Sequence, residues 1–204
     1  MANTHFSGPV TFSAARPTLQ NLNIGTWPDQ TRFMVDFTGI LLDATNDWTV
    51  VKDSGATVAL QADALNGVVD LTSAATTDND GSSIQGNEIW GLPSTAGEKL
   101  YFEARFQISD ADQMDVFIGV CENFATNPEA IFTASNRIGF QIDDGDATPH
   151  LITESSDSET DTTLSGTTYD LSDATDVTVS FVATKGTSTD VVDFYINRTK
   201  VGTH

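Results

Sequence analysis

The stretch "KLYFEARFQI" (99–108) alternates without a break, and this pattern constrains the fold more than any other feature of the chain. Successive side chains of an extended strand point to opposite faces, so Leu100, Phe102, Ala104, Phe106 and Ile108 share one apolar face. Tyr101, Glu103, Arg105 and Gln107 share the other, polar one. "DVTVSFVAT" repeats the arrangement with Val177, Val179, Phe181 and Ala183 inward. "VVDFYIN" does so with Val192, Phe194 and Ile196, and "NRIGFQID" with Ile138, Phe140 and Ile142. Less regular strand candidates are "WTVVKD", "ATVALQ", "NGVVDLT", "SSIQGNEIW" and "DVFIGVC".

About ten such strands, each apolar on one face only and separated by Gly, Asp, Asn and Ser clusters, predict an all-β chain of two antiparallel sheets packed face to face. Helix is scarce. Pro128 before "EAIFTAS" suits the first position of a single helical turn. The acidic, Ser/Thr-rich "ITESSDSETDTTLSGTTYD" reads as a solvated loop, or as an edge hairpin kept soluble by its charge.

Residues 1–30 lack either period and carry Gly8, Pro9, Pro17, Gly25 and Pro28. The expected organisation is therefore an N-terminal arm, 1–30, ahead of one β-sandwich domain, 31–204, whose 39% hydrophobic content can fill a single core. The arm has neither a basic n-region nor an apolar h-region, so it does not read as a secretory signal. No apolar run approaches the length of a membrane-spanning helix. Synthesis and folding in a cytoplasm are the expectation.

Charge excludes two classes of partner. With 29 acidic residues against 9 basic, the net charge is −20, and no basic cluster exists. Nucleic-acid phosphates and anionic membrane surfaces are both recognised by Lys and Arg, so neither is expected as a partner. An excess of negative charge does favour solubility and resists non-specific association.

Several residue groups are candidates for chemistry. Asp110, Asp112 and Asp115 in "SDADQMDVF" have the spacing of a catalytic carboxylate triplet used by β-sandwich glucanases, with aspartates in place of both glutamates. A retaining pair must stand about 5 Å apart on one face. Residues five apart on a regular strand point oppositely, so a bulge would be required. Turn chemistry favours the alternative, a loop between the strand ending at Ile108 and the one starting near Val116, and no enzyme activity is expected.

Asp78 and Asp80, and Asp143, Asp144 and Asp146, gather oxygen ligands around glycine as some calcium loops do, yet neither matches the twelve-residue calcium loop, and Asp-Gly is also good turn chemistry. His5, His150, His204 and the lone Cys121 show no zinc spacing, and Cys121 reads as a small, near-core strand residue. No metal or cofactor is expected. Asn197-Arg198-Thr199 matches a glycosylation tripeptide but lacks a secretory context. Glycan binding would draw on Trp27, Trp48, Trp90, Tyr101, Tyr169 and Tyr195, of which Tyr101 and Tyr195 fall on polar strand faces. Core and rim packing is the competing use of these rings.

From Phe33 to Lys200 the order of pieces resembles the concanavalin-like lectin/glucanase sandwich. The pieces are "DWTVVKDSGATVALQADALNGVVDLTSAATTDNDGSSIQ", "GEKLYFEARFQISDADQMDVFIGV", "IGFQIDDGD" and "VDFYINRTKVG". The resemblance implies a jelly-roll sandwich and says more about fold than function. One departure is that the given sequence stops at "RTKVGTH", where this sandwich usually turns back into another strand.

The opening "MANTHFSGPV" resembles the N-termini of tailed-bacteriophage structural proteins, head decoration or cement proteins in particular. That resemblance implies a homotrimer on the virion surface that clamps neighbouring copies of a major capsid protein. The arm's apolar residues Phe6, Val10, Phe12, Leu19, Leu22, Ile24 and Trp27 are then the candidate contacts with the shell or with neighbouring subunits. A disordered tail would carry more charge and fewer such anchors, whereas a mixed apolar, turn-rich arm suits ordering on a neighbour. A carbohydrate-binding module for host adhesion is the alternative function, and a glycanase a more distant one.

Overall fold

Phe102, Phe181 and Phe194 lie side by side on three neighbouring strands, and Phe140 meets them from an opposing sheet; this aromatic stack organises the fold. The computed structural model describes residues 35, 37, 42, 48–62, 64, 67–73, 81–86, 91–111, 113–124 and 127–204. The chain divides into two units at Asp36/Phe37, and the described elements all belong to the second. The seven candidate arm contacts, Phe6 to Trp27, lie outside the described residues, as do Asp78, Asp80, Trp90 and Asp112.

The described elements run β1 (Trp48–Lys52), β2 (Thr57–Leu60), β3 (Val69–Thr72), β4 (Ser82–Gly86), β5 (Lys99–Phe106), β6 (Val116–Cys121), a 3-10 turn (Pro128–Thr133), β7 (Asn136–Asp143), β8 (Asp146–Ser155), β9 (Ser158–Thr163), a one-turn helix α1 (Gly166–Tyr169), β10 (Val177–Thr184), β11 (Val191–Ile196) and β12 (Thr199–Thr203). All pairing is antiparallel. One four-stranded sheet has the order β12-β11-β10-β5 and the other β6-β7-β8-β9, while β1-β4 and β2-β3 form two-stranded ribbons. The expected all-β architecture of two packed antiparallel sheets is what is found. Each four-stranded sheet is largely a meander. β5 sits beside β10 because the chain leaves for the second sheet after β5 and returns to the first at β10.

The alternation translates directly into burial. Val177, Val179, Phe181 and Ala183 of β10 are buried while the residues between them are half-exposed. β5 alternates in the same way across its eight residues. The core cluster joins these residues to Val192, Phe194 and Ile196 of β11 and, from the facing sheet, to Ile138, Phe140 and Leu151. Phe140 and Phe194 meet edge to face with centroids 5.4 Å apart, a favoured aromatic geometry that ties one sheet to the other. Full burial of such side chains stabilises by about 1.5–3 kcal/mol each.

The acidic stretch after Leu151 is an edge hairpin and not a free loop. β8 turns into β9 through Ser156 and Asp157, both at positive φ (52° and 62°), and β11 turns into β12 through Asn197 and Arg198 (48° and 67°). Two successive left-handed residues are what a tight type I′ turn requires. Asn197-Arg198-Thr199 therefore belongs to a tight hairpin. The helical turn expected at Pro128 is present, and Asn127 caps it by accepting from the Glu129 N–H at 2.9 Å.

Candidate functional site

Each four-stranded sheet turns one face to the core, so its opposite face is where functional side chains stand. On the β6-β7-β8-β9 sheet, the register places three ranks on that outer face. They are Cys121–Arg137–Glu154–Glu159, Gly119–Gly139–Ile152–Asp161 and Phe117–Gln141–His150–Thr163.

Arg137 dominates the first rank. Its side chain is 5% exposed, and every arm of the guanidinium is occupied. Nε donates to Glu154 at 2.8 Å, one terminal nitrogen donates to Glu159, and the other donates to Gln141 Oε1 (2.9 Å) and to the Ile131 carbonyl (3.2 Å). The guanidinium also stands 6.0 Å above the Phe117 ring. With its donors spent internally, Arg137 is a structural clamp.

His150 is similarly enclosed. Nδ1 meets both Asp161 oxygens at 3.0 Å and the Thr163 hydroxyl at 3.3 Å, and Nε2 lies 3.8 Å from Asp143. In a nucleophile–histidine–acid relay the acid and the nucleophile engage opposite ring nitrogens. Here Thr163 and Asp161 share one nitrogen, and Asp143 at the other stands beyond hydrogen-bond distance, so the group does not have relay geometry.

Asp110 and Asp115 fall in the segment that joins β5 to β6, and Asp112 lies outside the described residues. β5 ends at Phe106 and β6 begins at Val116. Asp115 accepts from the Asp144 N–H at 2.7 Å, thereby bracing the β7–β8 turn, and Asp173 accepts from the Ala111 N–H at 2.8 Å. Asp144 and Gly145 (φ +87°) make that tight Asp-Gly turn. Asp146 accepts from the Thr148 N–H at 2.9 Å, and its bonds to Thr148 hold its carboxyl below the usual range. Among the described residues no three His, Cys, Asp or Glu side chains converge as metal ligands would.

Cys121 lies at the end of β6, half-buried. Burial, reinforced by Glu122 and opposed by Arg137, pushes its thiol up to about 11. That is the opposite of what activates a nucleophilic cysteine.

The outer face of the β12-β11-β10-β5 sheet differs in character. Its ranks are Lys99–Thr184–Val191, Tyr101–Val182–Asp193–Thr203, Glu103–Ser180–Tyr195–Lys200 and Arg105–Thr178. Tyr101 is 64% exposed, and Val191, two strands across at the start of β11, is exposed as well. Both tyrosines expected on polar faces are there, whereas Tyr169 packs against the core and Trp48 lies against Phe37 with ring centroids 5.6 Å apart.

This sheet and its turns also carry Lys99, Arg105, Lys185, Arg198 and Lys200, five of the chain's nine basic residues. Lys200 holds Asp193 at 2.6 Å, and this contact, followed by the Thr203 hydroxyl, lowers the Asp193 carboxyl from its usual range. Glu98, Glu103, Asp176, Asp190 and Asp193 on or beside the same strands offset the five basic residues, and Arg105, Lys185 and Lys200 are ion-paired with three of these acids, a matching that sequence reasoning missed. The alternation of "KLYFEARF" already set Glu103 and Arg105 on the face of Tyr101, but only the strand register brings Lys200 alongside Tyr195.

Comparison with protein-family models, with curated proteins and with solved structures finds nothing that matches the chain.

Proposed function

We propose that this chain is a structural component of a tailed-phage virion, a non-enzymatic β-sandwich that decorates and cements the outer capsid surface by bridging neighbouring capsid subunits. The observation that carries the reading is the pairing of two unlike parts. An apolar, turn-rich arm opens on "MANTHFSGPV", and it precedes an acidic sandwich whose core cluster, among the described residues, is drawn from residues 100–201. In this reading Phe6, Val10, Phe12, Leu19, Leu22, Ile24 and Trp27 grip a neighbour by strand addition or groove binding. The occupation of the Arg137, His150 and Asp115 side chains by internal partners supports a scaffold more than a catalyst.

In this reading the partner is the major capsid protein, the decorating unit is a homotrimer, and the −20 charge keeps many copies soluble before they assemble. Binding only to the assembled shell stabilises it by mass action, and a trimer at a local three-fold adds avidity without any new type of contact. The finer jelly-roll, concanavalin-like description of the sandwich rests on the resemblance of the strand sequences. The test is co-sedimentation with expanded capsids. Deletion of residues 1–30 should leave a folded, cooperatively unfolding domain that no longer pellets with the particles; equal pelleting by the truncated chain refutes the role of the arm.

A further inference from the structure

We draw no further inference here: the strongest candidate, the apolar face of the β2–β3 ribbon, on which Val58 pairs with Leu71 and Leu60 with Val69 and Leu71 stands exposed, carries nothing because nothing in the structure shows what covers it.

Discussion

Glu154 and Glu159 stand directly opposite one another across β8 and β9, two carboxylates in register on the same face of a sheet. Like charges so placed destabilise a strand pair. Arg137, one strand further in, reconciles them by donating to both while its own side chain is almost wholly buried. Removing one partner of a buried ionic group leaves the others uncompensated and costs about 3–5 kcal/mol. Arg137→Met should therefore lower the urea midpoint strongly, by an amount of that order. The triple variant Arg137→Met/Glu154→Gln/Glu159→Gln should recover most of the loss, since the carboxylate repulsion disappears with the clamp. Equal midpoints for the single and triple variants would mean that Arg137 acts by packing alone.

That cluster also marks where sequence reading stops. β5, β7, β10 and β11 were legible because each carries one apolar and one polar face, and the strand period makes this visible without knowing any partner. β8 was not legible. Pro149 interrupts it, and proline in mid-strand normally argues against a strand. It is accommodated because its backbone faces the edge side of the sheet: the Pro149 carbonyl accepts from the Leu164 N–H at 3.1 Å, one residue past the end of β9, and such edge positions tolerate a missing N–H. β9, "SETDTT", has no apolar residue on either face and is exposed throughout. It forms because β8 is present to pair with it. The acids that hold Arg137 sit in this illegible region, so "NRIGFQID" could show Arg137 on a polar face but not that it is buried there. The exposure of Tyr101 was readable from one strand, whereas the mixed charges around it, Lys99, Glu103 and Asp193 among them, are set by the pairing of three.

Gly119 and Gly139 face each other across β6 and β7, and neither has room for a side chain. A Cβ at Gly119 would stand 2.2 Å from the Ile138 carbonyl oxygen, and one at Gly139 would meet Phe117 at 2.7 Å. The Phe117 ring lies over the space that the glycine leaves. Backbone atoms cannot rotate away as a side-chain tip can, so Gly119→Ala should force the strands apart and cost about 1–3 kcal/mol, as overpacking does. Gly86→Ala in β4 is the control, because its Cβ would come no nearer than 3.8 Å to Trp48. It should change stability by no more than about 0.5 kcal/mol. Both are read from urea unfolding midpoints.

The Cys121 thiol, raised to about 11 mainly by burial, should be a poor nucleophile at neutral pH. The reactive species is the thiolate, and a value of about 11 in place of an ordinary 9.0 leaves about 100-fold less of it at neutral pH. Labelling by a chromogenic disulfide reagent at pH 7.5 should be slower by at least that factor in the native protein than in urea. Native and unfolded chains labelling at comparable rates would show that β6 opens readily at this end.

His204 joins the two sheets from the end of β12. Its Nδ1 lies 3.0 Å from the Thr153 hydroxyl and its Nε2 3.0 Å from the Thr162 hydroxyl, both on the facing sheet. Its ring packs edge-on to Phe194, with centroids 5.2 Å apart. A neutral imidazole satisfies this site, donating from one nitrogen and accepting at the other. Burial lowers the imidazole from its ordinary value of 6.5, and the charge of Asp161 opposes that shift only in part. Above 6.5 the ring is neutral in both folded and unfolded chains, so the full stability is present there. As the pH falls below 6.5 the unfolded chain takes up a proton that the folded one resists, and stability declines until the pH passes the lowered folded value, below which the loss is complete. The lowered carboxyls of Asp146, Asp190 and Asp193 act only below 3.8, outside this window. The unfolding midpoint should therefore drop between pH 7 and 5, and His204→Asn, which keeps a donor and an acceptor but cannot be charged, should flatten that drop. A parallel decline in the variant would assign the pH dependence to other groups and leave His204 as packing alone.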